Sequence, residues 1–198
     1  MKLTRSLAVI ATATAGAATV LSGAASAATP PPSAYQVISA ALAGHLAPAD
    51  DPVCHEGGLL SEYNDRYVST ETGYSGSKKN IMRARATTVG DTELYDICVT
   101  LVNREVEVTF RSQASGLYAT VDGSSSGYFS SALRATASRV GPAETFQALL
   151  DPAAKNFQLR SRLNNRYVTN FKRLPGADSM ILRAISTTIG APENFNWS

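Results

Sequence analysis

The sequence predicts an all-β protein of three four-stranded repeats with pseudo-threefold symmetry, preceded by a short N-terminal helix. Three observations carry this expectation. A repeat of about fifty residues recurs through the chain. Within each repeat, short β-rich runs alternate with turn residues. The last repeat is complete at Ser198, which favours a closed ring of units over an open stack with atypical caps.

The repeat shows first as an echo, "NDRYVST" at 64–70 and "NNRYVTN" at 164–170. Aligned on it, Arg66-Tyr67-Val68 matches Leu117-Tyr118-Ala119 and Arg166-Tyr167-Val168. The same offsets bring "MRA" at 82–84 onto "LRA" at 133–135 and 182–184. Val89-Gly90 falls on Val140-Gly141 and Ile189-Gly190, and Glu93 on Glu144 and Glu193. The units are placed at about 57–105, 106–155 and 156–198, within a domain spanning 54–198.

Each unit reads as four strands. In the third, "FQLRS" (157–161), "RYVTN" (166–170), "MILRA" (180–184) and "ENFNW" (193–197) are separated by Asn164-Asn165, Pro175-Gly176, Gly190 and Pro192. In the second, Val106, Val108 and Phe110 point one way and Glu105, Glu107 and Thr109 the other. Asp65, Gly116 and Asn165 precede the second strands, and all three tolerate the left-handed backbone of a tight turn. Four apolar triplets are expected to share one core: Leu59/Phe110/Leu159, Tyr67/Tyr118/Tyr167, Met82/Leu133/Leu182 and Tyr95/Phe146/Phe195. Each such side chain contributes roughly 1.5–3 kcal/mol on burial.

Twelve strands in three such units resemble the β-trefoil, a six-stranded barrel capped by three hairpins. "LRSRLNNRYVTN … LRAISTTIGAPENFNW" is similar to the fascin-like branch of that superfamily, and the likeness covers about residues 57–198. The ricin-type lectin branch closes each unit with Gln-x-Trp. This chain has Glu93-Leu94-Tyr95, Glu144-Thr145-Phe146 and Glu193-Asn194-Phe195 instead. The arabinose-binding trefoils of secreted glycosidases are more distant relatives by wording. The resemblance implies the fold. It does not carry over fascin's actin bundling, because a secreted domain has no reason to meet actin.

Residues 1–27 read as a secretory signal peptide: Lys2 and Arg5, an Ala-rich apolar run, then Ala25-Ser26-Ala27. An extracellular location follows, and no later stretch approaches the roughly 20 apolar residues of a membrane span. Residues 28–53 hold the Pro-rich "ATPPPS" and a helix at about 33–45, with Tyr35, Ile38, Leu42 and Leu46 at helical spacing and Ser33 as N-cap. In an oxidising compartment Cys54 and Cys98 are expected to pair, against the alternatives of two free thiols or a metal pair. Without residues 1–27 the chain carries 16 Lys+Arg and 16 Asp+Glu, from totals of 18 and 16 with Lys2 and Arg5 removed. A neutral chain argues against charge-driven nucleic-acid binding.

The chain offers no convincing catalytic set, and no metal or cofactor is expected. His55-Glu56 lacks the second His of a zinc helix, and His45 has no repeat equivalent. "GSSSG" (123–127) is followed by a strand where a nucleophile elbow needs a helix. Glu93, Glu144 and Glu193 are related by the repeat, so they stand too far apart for glycoside hydrolysis, which needs two carboxyls about 5–9.5 Å apart. Their expected task is to accept hydrogen bonds in the turns after Gly90, Gly141 and Gly190.

Positions shared by all units read as scaffold; exposed positions that differ are free to carry function. The loops between second and third strands differ most: "ETGYSGSKK" (71–79), "DGSSSGYFS" (122–130) and "NFKRLPGAD" (170–178). Their candidate ligand-binding residues are Glu71, Tyr74, Asp122, Tyr128, Phe129, Asn170, Phe171, Lys172 and Asp178. Aromatic faces for the C–H side of a sugar, beside carboxylates and amides for its hydroxyls, point to glycan or polysaccharide binding. The alternative is that the aromatics cover the barrel mouth. A second function class is a protein-binding module such as a protease inhibitor or adhesin, presenting "KRLPGA" (172–177).

Overall fold

The computed structural model describes residues 33–42, 51–172 and 179–197. The expected signal peptide, most of the Pro-rich linker, His45, and the loop 173–178 with Asp178 lie outside these residues.

The chain enters through a helix, α1 (Ala34–Leu42). Ser33 and Gln36 form its capping box: Gln36 N–H donates to Ser33 Oγ at 3.4 Å, and Ser33 N–H donates to Gln36 Oε1 at 2.9 Å. Twelve strands follow: β1 (Val53–Ser61), β2 (Arg66–Glu71), β3 (Ile81–Ala86), β4 (Leu94–Val102), β5 (Glu105–Ser112), β6 (Tyr118–Val121), β7 (Leu133–Ala137), β8 (Phe146–Asp151), β9 (Asn156–Ser161), β10 (Tyr167–Phe171), β11 (Ile181–Ser186) and β12 (Phe195–Trp197).

Six of them close a ring by antiparallel pairing, in the order β1–β4–β5–β8–β9–β12 and back to β1. Closure removes the free edges that an open sheet would expose. The other six form three hairpins, β2/β3, β6/β7 and β10/β11. The hairpins meet one another through Ile81↔Arg134, Ile181↔Arg83 and Ala132↔Arg183. This is the β-trefoil arrangement. At one end of the barrel, α1 touches β4, β5, β8, β9 and β12, and Val37 and Ile38 join the barrel core.

Three of the expected core triplets are buried: Leu59/Phe110/Leu159, Met82/Leu133/Leu182 and Tyr95/Phe146/Phe195. Phe110 packs edge-on to Tyr95 and tilted against Phe146, with centroids 6.5 and 6.0 Å away. The fourth expectation fails. Tyr67, Tyr118 and Tyr167 are only half-buried, and Val68, Ala119 and Val168 take the inward slots. A β-bulge lies opposite, on the partner strand. Tyr67 pairs with Ala86 but Val68 with Ala84, leaving Arg85 unpaired; Thr136 and Ile185 are passed over in the same way. Each tyrosine and the residue after it point to opposite faces of their own strand, so one alone enters the core, and the bulge re-aims Arg85, Thr136 and Ile185 on the partner strand. Tyr67 instead lies over β1 at Gly58, where a Cβ would come within 3.0 Å of its ring and 2.7 Å of Val89.

The turns behave as their residues predict. Asp65, Gly116 and Asn165 have φ of 53°, 69° and 61°. In the echo phrase, Asn64 and Asn164 donate from Nδ2 to the carbonyls of Ala84 and Ala184, pinning each turn to the third strand of its unit. The backbone N–H groups of Gly90, Gly141 and Gly190 donate to Oε2 of the buried Glu93, Glu144 and Glu193 at 3.1, 2.9 and 2.9 Å.

Cys54 and Cys98 form a disulfide between directly opposed residues of β1 and β4, Cα atoms 4.0 Å apart. It closes a loop across 44 positions. The double variant Cys54→Ser/Cys98→Ser is expected to lose about 3–4 kcal/mol, measured by urea unfolding. An unchanged midpoint would show that the β1/β4 pairing holds without it.

Candidate functional site

Two clefts open beside the hairpins, at corresponding places in the first and third units. The first, about 600 Å³, lies between Ser69–Tyr74 of the first hairpin, Arg85 and Ala86 on β3, and Thr92 and Glu93. The second, about 320 Å³, lies between Thr169–Lys172, Ile185 and Ser186 on β11, and Pro192 and Glu193, with Tyr63 reaching in from the β1–β2 turn. Both fall within the few-hundred-Å³ range of small-ligand pockets. The repeat aligns Ser69 with Thr169, Glu71 with Phe171, Thr72 with Lys172, Arg85 with Ile185 and Thr92 with Pro192. The same scaffold therefore lines the two clefts differently, with Glu71, Thr72, Arg85 and Thr92 in the first where Phe171, Lys172, Ile185 and Pro192 stand in the second.

The bulge explains what lines them. It displaces Arg85 and Ile185 from their strand pairing and turns them towards the clefts. Each cleft also holds a partly exposed tyrosine: Tyr74, 36 % exposed, and Tyr63, 37 % exposed. The Arg83 guanidinium carbon lies 5.3 Å from the Tyr74 ring centre and steadies it by a cation–π contact.

Several candidate residues turn out to be internal. Glu71 closes β2 and is buried. Arg85 donates from Nη2 to its Oε2 at 2.7 Å, Arg85 Nε lies 2.6 Å from Oε1, and Arg83 Nε lies 3.6 Å from Oε1. Asn170 is also buried; its Nδ2 donates to Ser61 Oγ and Asn64 Oδ1, while its Oδ1 has no hydrogen-bond partner. The placement of both on an exposed loop is thus corrected: the strands run to Glu71 and Phe171, so both residues lie within the hairpins. Asp122 pairs with Arg134 Nε at 3.2 Å and accepts from the Ser124 and Ser125 backbone amides and hydroxyls. Partial burial raises its pKa, but the hydrogen bonds from Ser125 and Ser124 outweigh that and bring it to about 2. Tyr128 stands 70 % exposed on a 3-10 turn (Gly127–Phe129), lining neither cleft.

Phe129 and Phe171 are partly buried against Ile81, Ala132 and Ile181 where the three hairpins meet. Both therefore cover that meeting point, and Phe171 also lines the second cleft. Around the same point stand Arg83, Arg134 and Arg183, from the shared "MRA", "LRA" and "LRA". Arg134 and Arg183 face the Phe129 and Phe171 rings, with centroids 6.0 and 4.7 Å away. Arg183 donates to the carbonyls of Ser130 and Gly127, binding the third hairpin to the second. Burial lowers its pKa. Of the candidates, Tyr74 and Lys172 reach the clefts from exposed positions. Sequence reasoning missed Tyr63, although its counterparts Ala114 and Leu163 show the unit-to-unit difference that flagged the other loops.

No protein-family model matches the chain, and no curated protein matches it. Solved structures do. The designed threefold-symmetric protein ThreeFoil superposes with a TM-score of 0.57 at 12 % identity, covering 72 % of this chain and 96 % of its own. The Rhizoctonia solani agglutinin gives 0.54 at 11 % identity, over 76 % and 98 %. A Macrolepiota procera ricin B-like lectin, solved with lactose, gives 0.54 at 12 %, over 77 % and 97 %. At such identities the likeness establishes the trefoil fold.

Proposed function

We propose that this protein is a secreted, non-catalytic glycan-binding module that takes sugar residues in the two clefts beside the first and third hairpins. One observation carries the reading: each cleft is lined by a partly exposed tyrosine together with hydroxyl-bearing side chains. In the first, Tyr74 lies with Thr72 and Thr92. In the second, Tyr63 lies with Thr169 and Ser186. A pyranose offers an apolar C–H face to such a ring and hydroxyls to such side chains. The agglutinin and lectin among the matching structures support the same reading by analogy of fold.

The buried Glu93 and Glu193 hold their turns by hydrogen bonds to Gly90 and Gly190, which supports a binding role over a hydrolytic one. Secretion is proposed from the N-terminal sequence, and the disulfide fits an oxidising compartment. The motif wording supports a place nearer the fascin-like branch than the ricin-type one.

A glycan array, followed by titration of any hit, tests the reading. Tyr74→Ala and Tyr63→Ala are each expected to lower affinity at their own cleft about tenfold, with the fold intact by circular dichroism. Binding to no glycan, or to glycans unaffected by both changes, sinks the proposal.

A further inference from the structure

We propose that the ligand of these clefts is an acidic glycan, a polysaccharide bearing carboxylate or sulfate groups, held against the hairpin face of the trefoil. This rests on the glycan reading above and adds the charge of the ligand.

Overall neutrality hides a segregation of charge. From the end of β2 to the end of β3 (71–86), the first hairpin carries Lys78, Lys79, Arg83 and Arg85 against Glu71 alone. The matching stretch of the second, 122–137, carries Arg134 against Asp122. That of the third, 171–186, carries Lys172 and Arg183 with no acid among its described residues. Among the described residues, seven cations thus meet two carboxylates in the hairpins. The remaining described residues reverse the balance, with twelve Asp or Glu against eight Lys or Arg.

Both hairpin carboxylates are engaged internally, Glu71 by Arg83 and Arg85 and Asp122 by Arg134. Glu71 thus already pairs the rim cation Arg85 in the first cleft, whereas the third hairpin has no acid among its described residues. Arg85, 53 % exposed, borders the first cleft, and the exposed Lys172 borders the second. Each tyrosine-bearing cleft therefore has one cation at its rim: Arg85, held by Glu71, in the first, and the exposed Lys172 in the second. A neutral sugar in the second cleft would strip water from Lys172 without replacing it, whereas a carboxylate or sulfate accepts charge-assisted hydrogen bonds from it. A single tyrosine per cleft, in two separated clefts, suits sugar residues better than the successive stacked bases of a nucleic-acid strand.

The test uses oligogalacturonate and its fully methyl-esterified form, which keeps the backbone and removes the charge. By titration calorimetry the acid form should bind about tenfold more tightly at low salt, and the advantage should collapse at about 1 M NaCl, where the screening length falls to about 3 Å. Lys172→Gln, at an exposed position, should weaken the acid form about threefold and leave the ester unchanged. Arg85→Gln should do the same at the first cleft. Because that change also frees Glu71, Lys172→Gln is the cleaner variant. Equal affinity for both forms, or binding confined to neutral glycans, overturns this inference and leaves the glycan reading standing. Failure of every glycan overturns both. Equal competition by a single-stranded oligonucleotide of matched charge also overturns it, since it would show indiscriminate attraction of polyanions.

Discussion

Glu71→Ala is expected to destabilise the protein by about 3–5 kcal/mol, the usual cost of removing one partner from a buried ion pair. Glu71 is 5 % exposed and its partner Arg83 only 2 %. Arg83 enters from β3 among the meeting hairpins, and its Nε and Nη2 have no hydrogen-bond partner, so the nearby carboxylate supplies its compensation. Without Glu71, a guanidinium remains in a dry site beside the Tyr74 ring. Arg85 is released as well, but at 53 % exposure it can turn to water. The loss should therefore trace to Arg83. The double variant Glu71→Leu/Arg83→Leu, which removes both charges, should be markedly more stable than Glu71→Ala in urea unfolding. If the single variant unfolds within 1 kcal/mol of wild type, the pair is not what holds the hairpins.

Phe110→Ala should cost a similar amount, about 3–5 kcal/mol, by leaving a cavity in the barrel. Phe110 is 1 % exposed and links the Tyr95 ring of the first unit to the Phe146 ring of the second. Interiors packed at crystal density close such gaps poorly. For a chain of this size the midpoint should fall by about 6–20 °C. Leu163→Ala, at a position 43 % exposed, is the matched control and should change stability by less than about 0.5 kcal/mol. A small loss at Phe110 would mean that the barrel collapses onto the vacated space.

The hairpin turns were legible because their conformations depend on single residues. Asp65, Gly116 and Asn165 accept a left-handed backbone that most side chains resist, a preference of the residue itself. The Gly90–Glu93, Gly141–Glu144 and Gly190–Glu193 contacts span three residues each and were legible for the same reason. The facing of the tyrosines was not legible, because in Tyr67-Val68, Tyr118-Ala119 and Tyr167-Val168 either apolar neighbour could face in; the bulges were not legible either, being invisible to a period of two. Arg85, Thr136 and Ile185 look like ordinary strand residues, and only the pairing of β2 with β3 and its counterparts shows them passed over.

The candidate site divided along the same line. Looking where the units differ did locate Tyr74 and Lys172 at cleft rims. It also returned Glu71 and Asn170, which the strands carry inside, and Phe129 and Phe171, which cover the meeting of the hairpins. Tyr63 went unnoticed because it belongs to a turn of one unit and serves the cleft of another.

By itself the sequence determined the repeat, the all-β class, most of the core and the turn geometry. These follow from periodicity and from the backbone preferences of single residues, which act over a few positions. Tertiary structure alone decided which strands close the ring, which side of the bulge each residue takes, and which distant residues share a cleft. It also revealed that a chain of balanced charge gathers its cations on the hairpins. Those features depend on segments about fifty to a hundred residues apart being brought side by side, and burial and charge take their meaning from such neighbours.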